Sequence, residues 1–228
     1  MNISIIIPAR GGSKRIQSKN MKVLDGLTLI QHAGHCAFRV EVEFEDERKT
    51  HGVSTYASTE DAAIYEHIRA LVIAIPLLRP DDLAQDDTPT LAVIQHHLRE
   101  MPEVDICVVL QPTNPFRKWE SVVKAIETLI AAPPETDAVI SVSSVRQHPK
   151  HMYNNGIPMR YIHHAAEKSI KYFNGAFVVG YCQKFLDMGC GWGDNVIPVE
   201  ISQIEAIDID DELDWMLAEK VAEGMNDE

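Results

Sequence analysis

Two charged clusters at opposite ends of the chain have the types and spacings that handle phosphate. The first, "ISIIIPARGGSKRI", runs from an apolar stretch straight into Gly11 and Gly12, flanked by Arg10, Lys14 and Arg15. A glycine pair after a strand leaves backbone N–H groups free to face an anion, because glycine tolerates the positive φ that such a nest requires. Arg10 and Lys14 would add charge-assisted hydrogen bonds to phosphate oxygens. The spacing matches neither GxxxxGK[ST] nor GxGxxG, so no P-loop or dinucleotide fingerprint is assigned, and a solvated basic turn would carry the same residues. The second cluster is "AIDIDDELDW", in which Asp208 and Asp210 alternate. Residues i and i+2 of an extended segment face one side, so both carboxylates can converge on a hard cation. Magnesium takes one or two carboxylates and shares its remaining positions with water and substrate phosphates. Asp210 or Asp211 could equally cap the helix that follows, and the two roles can coexist. Together the clusters point to magnesium-dependent phosphoryl or nucleotidyl transfer.

The rest of the composition narrows the partner. A formal net charge of -13 over 228 residues argues against nucleic-acid binding, which needs a basic face. In so acidic a chain a tight basic cluster suits a small anionic substrate. Cys36, Cys107, Cys182 and Cys190 form neither a CxxC pair nor a zinc spacing, so we expect reduced thiols, with Cys107 in the core. No signal-peptide pattern or apolar run of membrane-spanning length occurs, and we expect a cytoplasmic protein.

Apolar runs alternate with helical patterns, which predicts an α/β fold with a mainly parallel, twisted sheet flanked by helices. Strands are expected at 3–7, 53–58, 106–110, 138–142, 175–180 and 196–201, with a further apolar run at 71–75. Helices are expected at 27–38, after Ser58 as N-cap, after Thr88 with Pro89 at the first helical position, at 119–131, and from Asp210 or Asp211. Leu91, Ile94, Leu98 and Met101 recur at helical spacing in the third of these, and Leu213, Leu217 and Val221 in the last. Residues 41–50 read as a charged surface excursion. Residues 145–172, with four histidines and an Asn-Gly turn, read as a flap or hairpin within a single domain spanning 1–228. Arg79, after an apolar run, could reach a base or phosphate. Gln111 ends a strand where open α/β sheets bind ligands.

With these motifs assembled, the chain resembles the N-acylneuraminate cytidylyltransferases (CMP-sialic acid synthetases), including relatives that activate pseudaminic and legionaminic acids. The residues carrying the likeness are "IPARGGSKRIQSKN", "STEDAA", "LLRPDDLAQDDTPT", "LQPTNPFR", the His148-Pro149 pair, "NGAFVV" and "IDIDDELDW". The resemblance implies a Rossmann-like nucleotidyltransferase fold and a homodimer to which the 145–172 excursion contributes. It implies CTP and a nine-carbon 2-keto sugar acid as substrates, CMP-sugar and pyrophosphate as products, and Mg2+ as cofactor. By position, Arg10, Gly11, Gly12, Ser13 and Lys14 would hold the CTP phosphates, with Lys19 and Asn20 beside them. Arg79, Thr88, Thr90 and Gln111 would contact nucleotide or sugar, and Asp208 and Asp210 would bind the metal. Arg10, Lys19, Asp208 and Asp210 would make up the catalytic set. The chain departs from the pattern at His164, where the family usually has an arginine ten residues before the Asn-Gly pair; Arg160, Lys168 or Lys171 could substitute, and with His164 we place Lys168 among the sugar-binding candidates. An arginine fork and an imidazole are not equivalent donors. Two alternatives therefore stand beside the main reading: a 3-deoxy-manno-octulosonate cytidylyltransferase, and an inactive relative that binds CTP or sugar.

Overall fold

A computed structural model describes residues 1–44, 52–71, 74–145, 153–154, 157–158 and 170–226. In chain order the elements are β1 (Asn2–Pro8), β2 (Val23–Leu24), β3 (Leu27–Thr28), α1 (Leu29–Phe44), β4 (Gly52–Thr59), α2 (Ala62–Leu71), β5 (Ile75–Leu78), α3 (Thr90–Glu100), β6 (Ile106–Leu110), α4 (Trp119–Ile130), β7 (Ala138–Ser144), β8 (Tyr153–Asn154), β9 (Ile157–Pro158), β10 (Lys171–Tyr181), α5 (Cys182–Asp187), β11 (Val196–Glu200) and α6 (Glu212–Asn226). Seven strands form one sheet in the order β11-β7-β10-β6-β1-β4-β5. Every pairing in it is parallel except those of β10, which runs antiparallel to both β6 and β7. The expected α/β architecture is therefore present, with one reversed strand in the middle.

The central strands are buried on both faces, as their unbroken apolar runs require. Ile3, Ile5 and Ile7 of β1 pack with Ala33, Ala37 and Val40 of α1 and with Val122 and Ile126 of α4. Ile6 points the other way, onto Leu91, Ile94 and Leu98 of α3 and Phe185 of α5. Cys107 is fully buried, as expected, and burial pushes its thiol well up; the Cys182 thiol is pushed up to about 12 for the same reason. All four cysteines are free.

Several expected boundaries move, each for a local reason. The first helix begins at Leu29 and not at 27, because Leu27 and Thr28 pair with Val23 and Leu24 around a turn at Asp25 and Gly26, both at positive φ. Thr28 then closes a reciprocal cap: its N–H donates to Gln31 Oε1 at 2.8 Å, and Gln31 N–H donates to Thr28 Oγ1 at 3.3 Å. The same helix continues to Phe44, since Val40 and Phe44 extend its buried stripe; the first part of the expected 41–50 excursion is helix, and the remainder lies outside the described residues. Ser58 sits inside β4 and does not cap α2. Asp61 does, accepting from the N–H groups of Ala63 (2.8 Å) and Ile64 (3.0 Å). The 71–75 run is split between the end of α2 and the start of β5. In α3, Pro89 takes the cap position, so Thr88 precedes the helix.

Within the 145–172 excursion, β8 pairs with β9 as a short hairpin. Lys171 and Tyr172 belong to β10, and Val145 N–H donates to Ile170 O at 3.3 Å where the excursion leaves the sheet. His148-Pro149, Arg160, His164 and Lys168 lie outside the described residues. Among the described residues no helix is long and apolar enough to cross a membrane.

Candidate active site

The carboxyl ends of β1, β5 and β6 open onto a cleft of about 680 Å3. Arg10, Ser13, Lys14, Lys19, Asn20, Arg79, Thr88, Thr90, Gln111, Asp208 and Asp210 all line it, so the two ends of the chain meet in one site. The contact is direct: Lys19 Nζ lies 3.3 Å from Asp210 Oδ1 and donates to Ile209 O at 2.7 Å, while Arg15 Nη1 lies 3.9 Å from Asp210 Oδ2. Lys19 is the most enclosed of the loop cations, its side chain 14% exposed against 82% for Lys14. A cation so withdrawn from water interacts strongly with any charge beside it.

The loop cations are partnered by acids. Arg10 Nη1 bonds Asp86 Oδ1 at 2.9 Å, and Lys14 bonds Asp86 Oδ2. The Lys14 ammonium, with Arg10 adding, holds the Asp86 carboxyl below its ordinary range. Asn20 is buried and donates through Nδ2 to Arg10 O at 2.9 Å, which fixes the loop from beneath.

Two expectations for the loop need correction. Neither Gly11 nor Gly12 lines the cleft, and neither adopts positive φ. Glycine is required at 11 for a different reason: a Cβ there would lie 2.3 Å from Asp61 Oδ2, whereas at Gly12 nothing comes within 4 Å. Nor is the Gly11 N–H free for an anion, since it donates to Glu60 Oε1 at 2.7 Å. Arg79 is likewise engaged, donating from Nε (3.0 Å) and Nη2 (2.9 Å) to Glu60 Oε2.

On the opposite wall Asp208 and Asp210 do face the same side, although residues 202–211 pair in no strand. Ile207 and Ile209, which alternate with them, are buried, so the alternation comes from a segment anchored by its apolar residues. The turn after β6 does the anchoring. Thr113 O accepts from Ile209 N–H at 2.8 Å, and Asn114 Nδ2 donates to Ile207 O at 3.1 Å. Arg117 ties the turn to β10 by donating to Gln111 O (3.0 Å) and Ala176 O (2.5 Å). Thus "QPTNPFR" acts mainly as a clamp on "IDID". The signal for it was the run of side-chain amides and prolines at a strand end, but no spacing rule assigns a distant carbonyl to Asn114. Withdrawal from water raises the Asp208 carboxyl above its ordinary value, and the nearby Asp210 charge adds to this, while a hydrogen bond from Thr113 opposes it. Asp211 caps α6, accepting from Leu213 and Asp214 N–H, and Asp214 Oδ2 accepts from Asp210 and Asp211 N–H in return.

A second cavity of about 470 Å3 adjoins the first and shares Gly175 and Asp208 with it. Tyr172, Phe173, Gln203 and Leu217 contribute to its wall. Gly175, at φ +78, turns β10 past Asp208, and a Cβ there would lie 3.9 Å from Asp208 Oδ2. Leu213 and Leu217, expected in the core, are exposed; Trp215, Ala218 and Ala222 form the buried face of α6 instead. Lys22 stacks over the Trp215 ring at 3.9 Å, joining the N-terminal loop region to α6. Lys171, an alternative sugar-binding cation, lines neither cavity and bonds Glu200 Oε2 at 2.5 Å.

A mainly parallel sheet with a basic loop after its first strand and paired carboxylates facing that loop defines a nucleotidyltransferase. Residues 4–172 match the family model described as cytidylyltransferase, and the chain belongs to that family. It is 28% identical to the CMP-N,N'-diacetyllegionaminic acid synthase of Legionella pneumophila, over 98% of this chain and 97% of that protein. It is 26% identical to the N-acylneuraminate cytidylyltransferase of Escherichia coli O18:K1:H7, again over 98% of this chain but only 53% of that longer protein. Among solved structures, CMP:2-keto-3-deoxy-manno-octonic acid synthetase complexed with CTP superposes with a TM-score of 0.70 over the whole chain at 15% identity, which is a likeness of fold. The 4-diphosphocytidyl-2C-methyl-D-erythritol synthase of Anaerococcus prevotii gives a TM-score of 0.67 at 13% identity.

Proposed function

We propose that this chain transfers CMP from CTP to the anomeric hydroxyl of a nine-carbon 2-keto sugar acid of the sialic type, releasing pyrophosphate. The observation that carries this reading is the convergence of Arg10, Lys14 and Lys19 with Asp208 and Asp210 in one cleft that continues into a second cavity. The near full-length likeness to a legionaminate-activating enzyme supports the substrate class. The octulosonate alternative has only a likeness of fold behind it.

The sugar hydroxyl oxygen bonds to the α-phosphorus as the bond from that phosphorus to the pyrophosphate oxygen breaks, and the hydroxyl proton is lost. Negative charge then builds on the leaving and non-bridging oxygens, so positioning and electrostatics do most of the catalysis. Arg10 and Lys14 exchange Asp86 for triphosphate oxygens. Lys19, held by Ile209 O, sits at the junction of the two walls. Thr88, Thr90 and Gln111 line the same cleft and offer neutral hydrogen bonds to the nucleotide or sugar. The donor set suits magnesium: no group of three or more acids, histidines or cysteines arranged to hold a metal occurs among the described residues, and the two carboxylates of Asp208 and Asp210 leave positions for phosphate oxygens and water. Asp208 and Asp210 would hold the ion, which when bound neutralises phosphate charge.

Tyr172, Phe173 and Leu217 line the second cavity and are exposed large hydrophobic side chains, which supports a homodimer. Four free cysteines support a reducing, cytoplasmic location. The reading is tested by pyrophosphate release from CTP with magnesium and a panel of sialic-type acids. Activity with at least one acid is expected, reduced about 10^2-fold or more in Asp208→Asn. CTP binding without turnover of any acid would leave an inactive relative instead.

A further inference from the structure

The "STEDAA" segment has no part in the scheme above, yet it joins the two nucleotide-facing elements. Glu60 leaves the end of β4 and is largely enclosed, its side chain 15% exposed. One of its oxygens accepts the Gly11 N–H at 2.7 Å, and the other accepts two donors from the Arg79 guanidinium at 2.9 and 3.0 Å. The neighbouring residues hold this arrangement from both sides. Thr59 O accepts the Arg79 N–H at 2.9 Å, and Asp61, fixed as the cap of α2, occupies the space that a side chain at Gly11 would need. The Arg79 side chain is only 4% exposed, yet Arg79 lines the nucleotide cleft.

Burying an ion pair is a poor route to stability, because the desolvation of both charges offsets their attraction. It does fix direction: a guanidinium gripped through Nε and Nη2 has its plane set by the carboxylate, leaving Nη1 as the nitrogen Glu60 does not use. We infer that Glu60 is a positioning residue for the nucleoside triphosphate, locking the Arg10–Lys14 loop and Arg79 into one unit so that both meet the same ligand. This rests on the CTP-dependent reading above. Glu60 acts through Arg79 and Gly11 and itself touches no reacting atom.

The test compares steady-state kinetics and calorimetric CTP binding for the wild type, Glu60→Gln, Arg79→Lys and the double variant, each confirmed folded by circular dichroism. Glu60→Gln should raise the KM and Kd for CTP about tenfold, the scale of a lost charge-assisted hydrogen bond, with kcat changed less than about threefold and the KM for the sugar acid unmoved. In the Arg79→Lys background the same change should have less than about a twofold effect, because the group it orients is already altered. Glu60→Asp, which keeps the charge and folds where Glu60→Gln does not, should raise the CTP KM by a smaller factor than Glu60→Gln. A lowered melting temperature with unchanged CTP KM, or effects that multiply fully in the double variant, would overturn the inference and leave the pair a structural one. A wild type that neither binds nor turns over CTP would instead overturn the parent reading, and the inference with it.

Discussion

The two walls of the cleft are held by different forces. On the loop wall, charge meets charge: Arg10 and Lys14 on Asp86 at the rim, Arg79 on Glu60 further in. On the carboxylate wall, Asp208 is placed by neutral bonds from the turn after β6, through Thr113 and the buried Asn114. Exposed ion pairs contribute little and re-partner readily, whereas buried amide bonds are costly to break. One wall can therefore exchange an internal anion for a substrate anion, while the other keeps its carboxylates aimed before any cation arrives.

Acid should separate the two walls most clearly. The loop wall rests on α3 and β1, which meet at a buried contact between His97 Nε2 and Ser4 Oγ (3.0 Å), with the Tyr56 ring packed edge-on. Burial lowers the His97 pKa to about 4, with the nearby His96 adding, and its Nδ1 has no hydrogen-bond partner among the described residues. The folded protein thus keeps His97 neutral where the unfolded chain, with an ordinary value of 6.5, takes up a proton. Stability tied to this group is complete above about pH 6.5 and is lost as the pH falls toward 4, by up to roughly 3 kcal/mol. Urea unfolding at pH 7.5, 5.5 and 4.5 should show that decline, and His97→Gln should flatten it. An equal slope in the variant would remove His97 as its source.

The carboxylate wall should fail through Asn114. Asn114→Ala leaves the buried Ile207 carbonyl without its side-chain donor and loosens the segment that aims Asp208, costing about 2 kcal/mol. Thermal unfolding and pyrophosphate release should both register it, with kcat falling more than the KM for CTP. A rise in CTP KM alone would mean that the turn serves the loop wall.

The outline of this site was legible in the sequence because its charges are local signals. Arg10, Lys14, Asp208 and Asp210 could be read from spacing, and the sheet from apolar runs such as "ISIII" at 3–7 and "ICVVL" at 106–110. What could not be read was tertiary. That Leu213 and Leu217 face outward depends on Trp215 filling the space under α6, and helical spacing alone does not choose between adjacent stripes. That Glu60 occupies the Gly11 N–H depends on two segments 49 residues apart. A glycine pair announces an unusual loop, but whether it serves backbone angle or close approach is decided by the neighbour, here Asp61.

That last point gives a matched pair. Gly11→Ala forces a Cβ against the Asp61 carboxylate, which is committed to the α2 cap, so the loop must shift and take its bond to Glu60 with it. A loss of about 1–2 kcal/mol is expected, with a weaker affinity for CTP. Gly12→Ala meets nothing within 4 Å and should behave as wild type. Equal behaviour of the two variants would refute the packing account of Gly11.

The smallest expected effect concerns the rim. Asp86 pairs with both Arg10 and Lys14, and each partner is well exposed to water. Asp86→Asn removes this internal anion and leaves both cations in the cleft, so CTP should bind somewhat more tightly in the variant. The gain should shrink as salt rises, because exposed charges at this range are screened. KM for CTP at low and moderate ionic strength reads both effects. If Asp86→Asn weakens CTP instead, Asp86 orients the cations more than it competes for them, and the rim would then be as preset as the carboxylate wall.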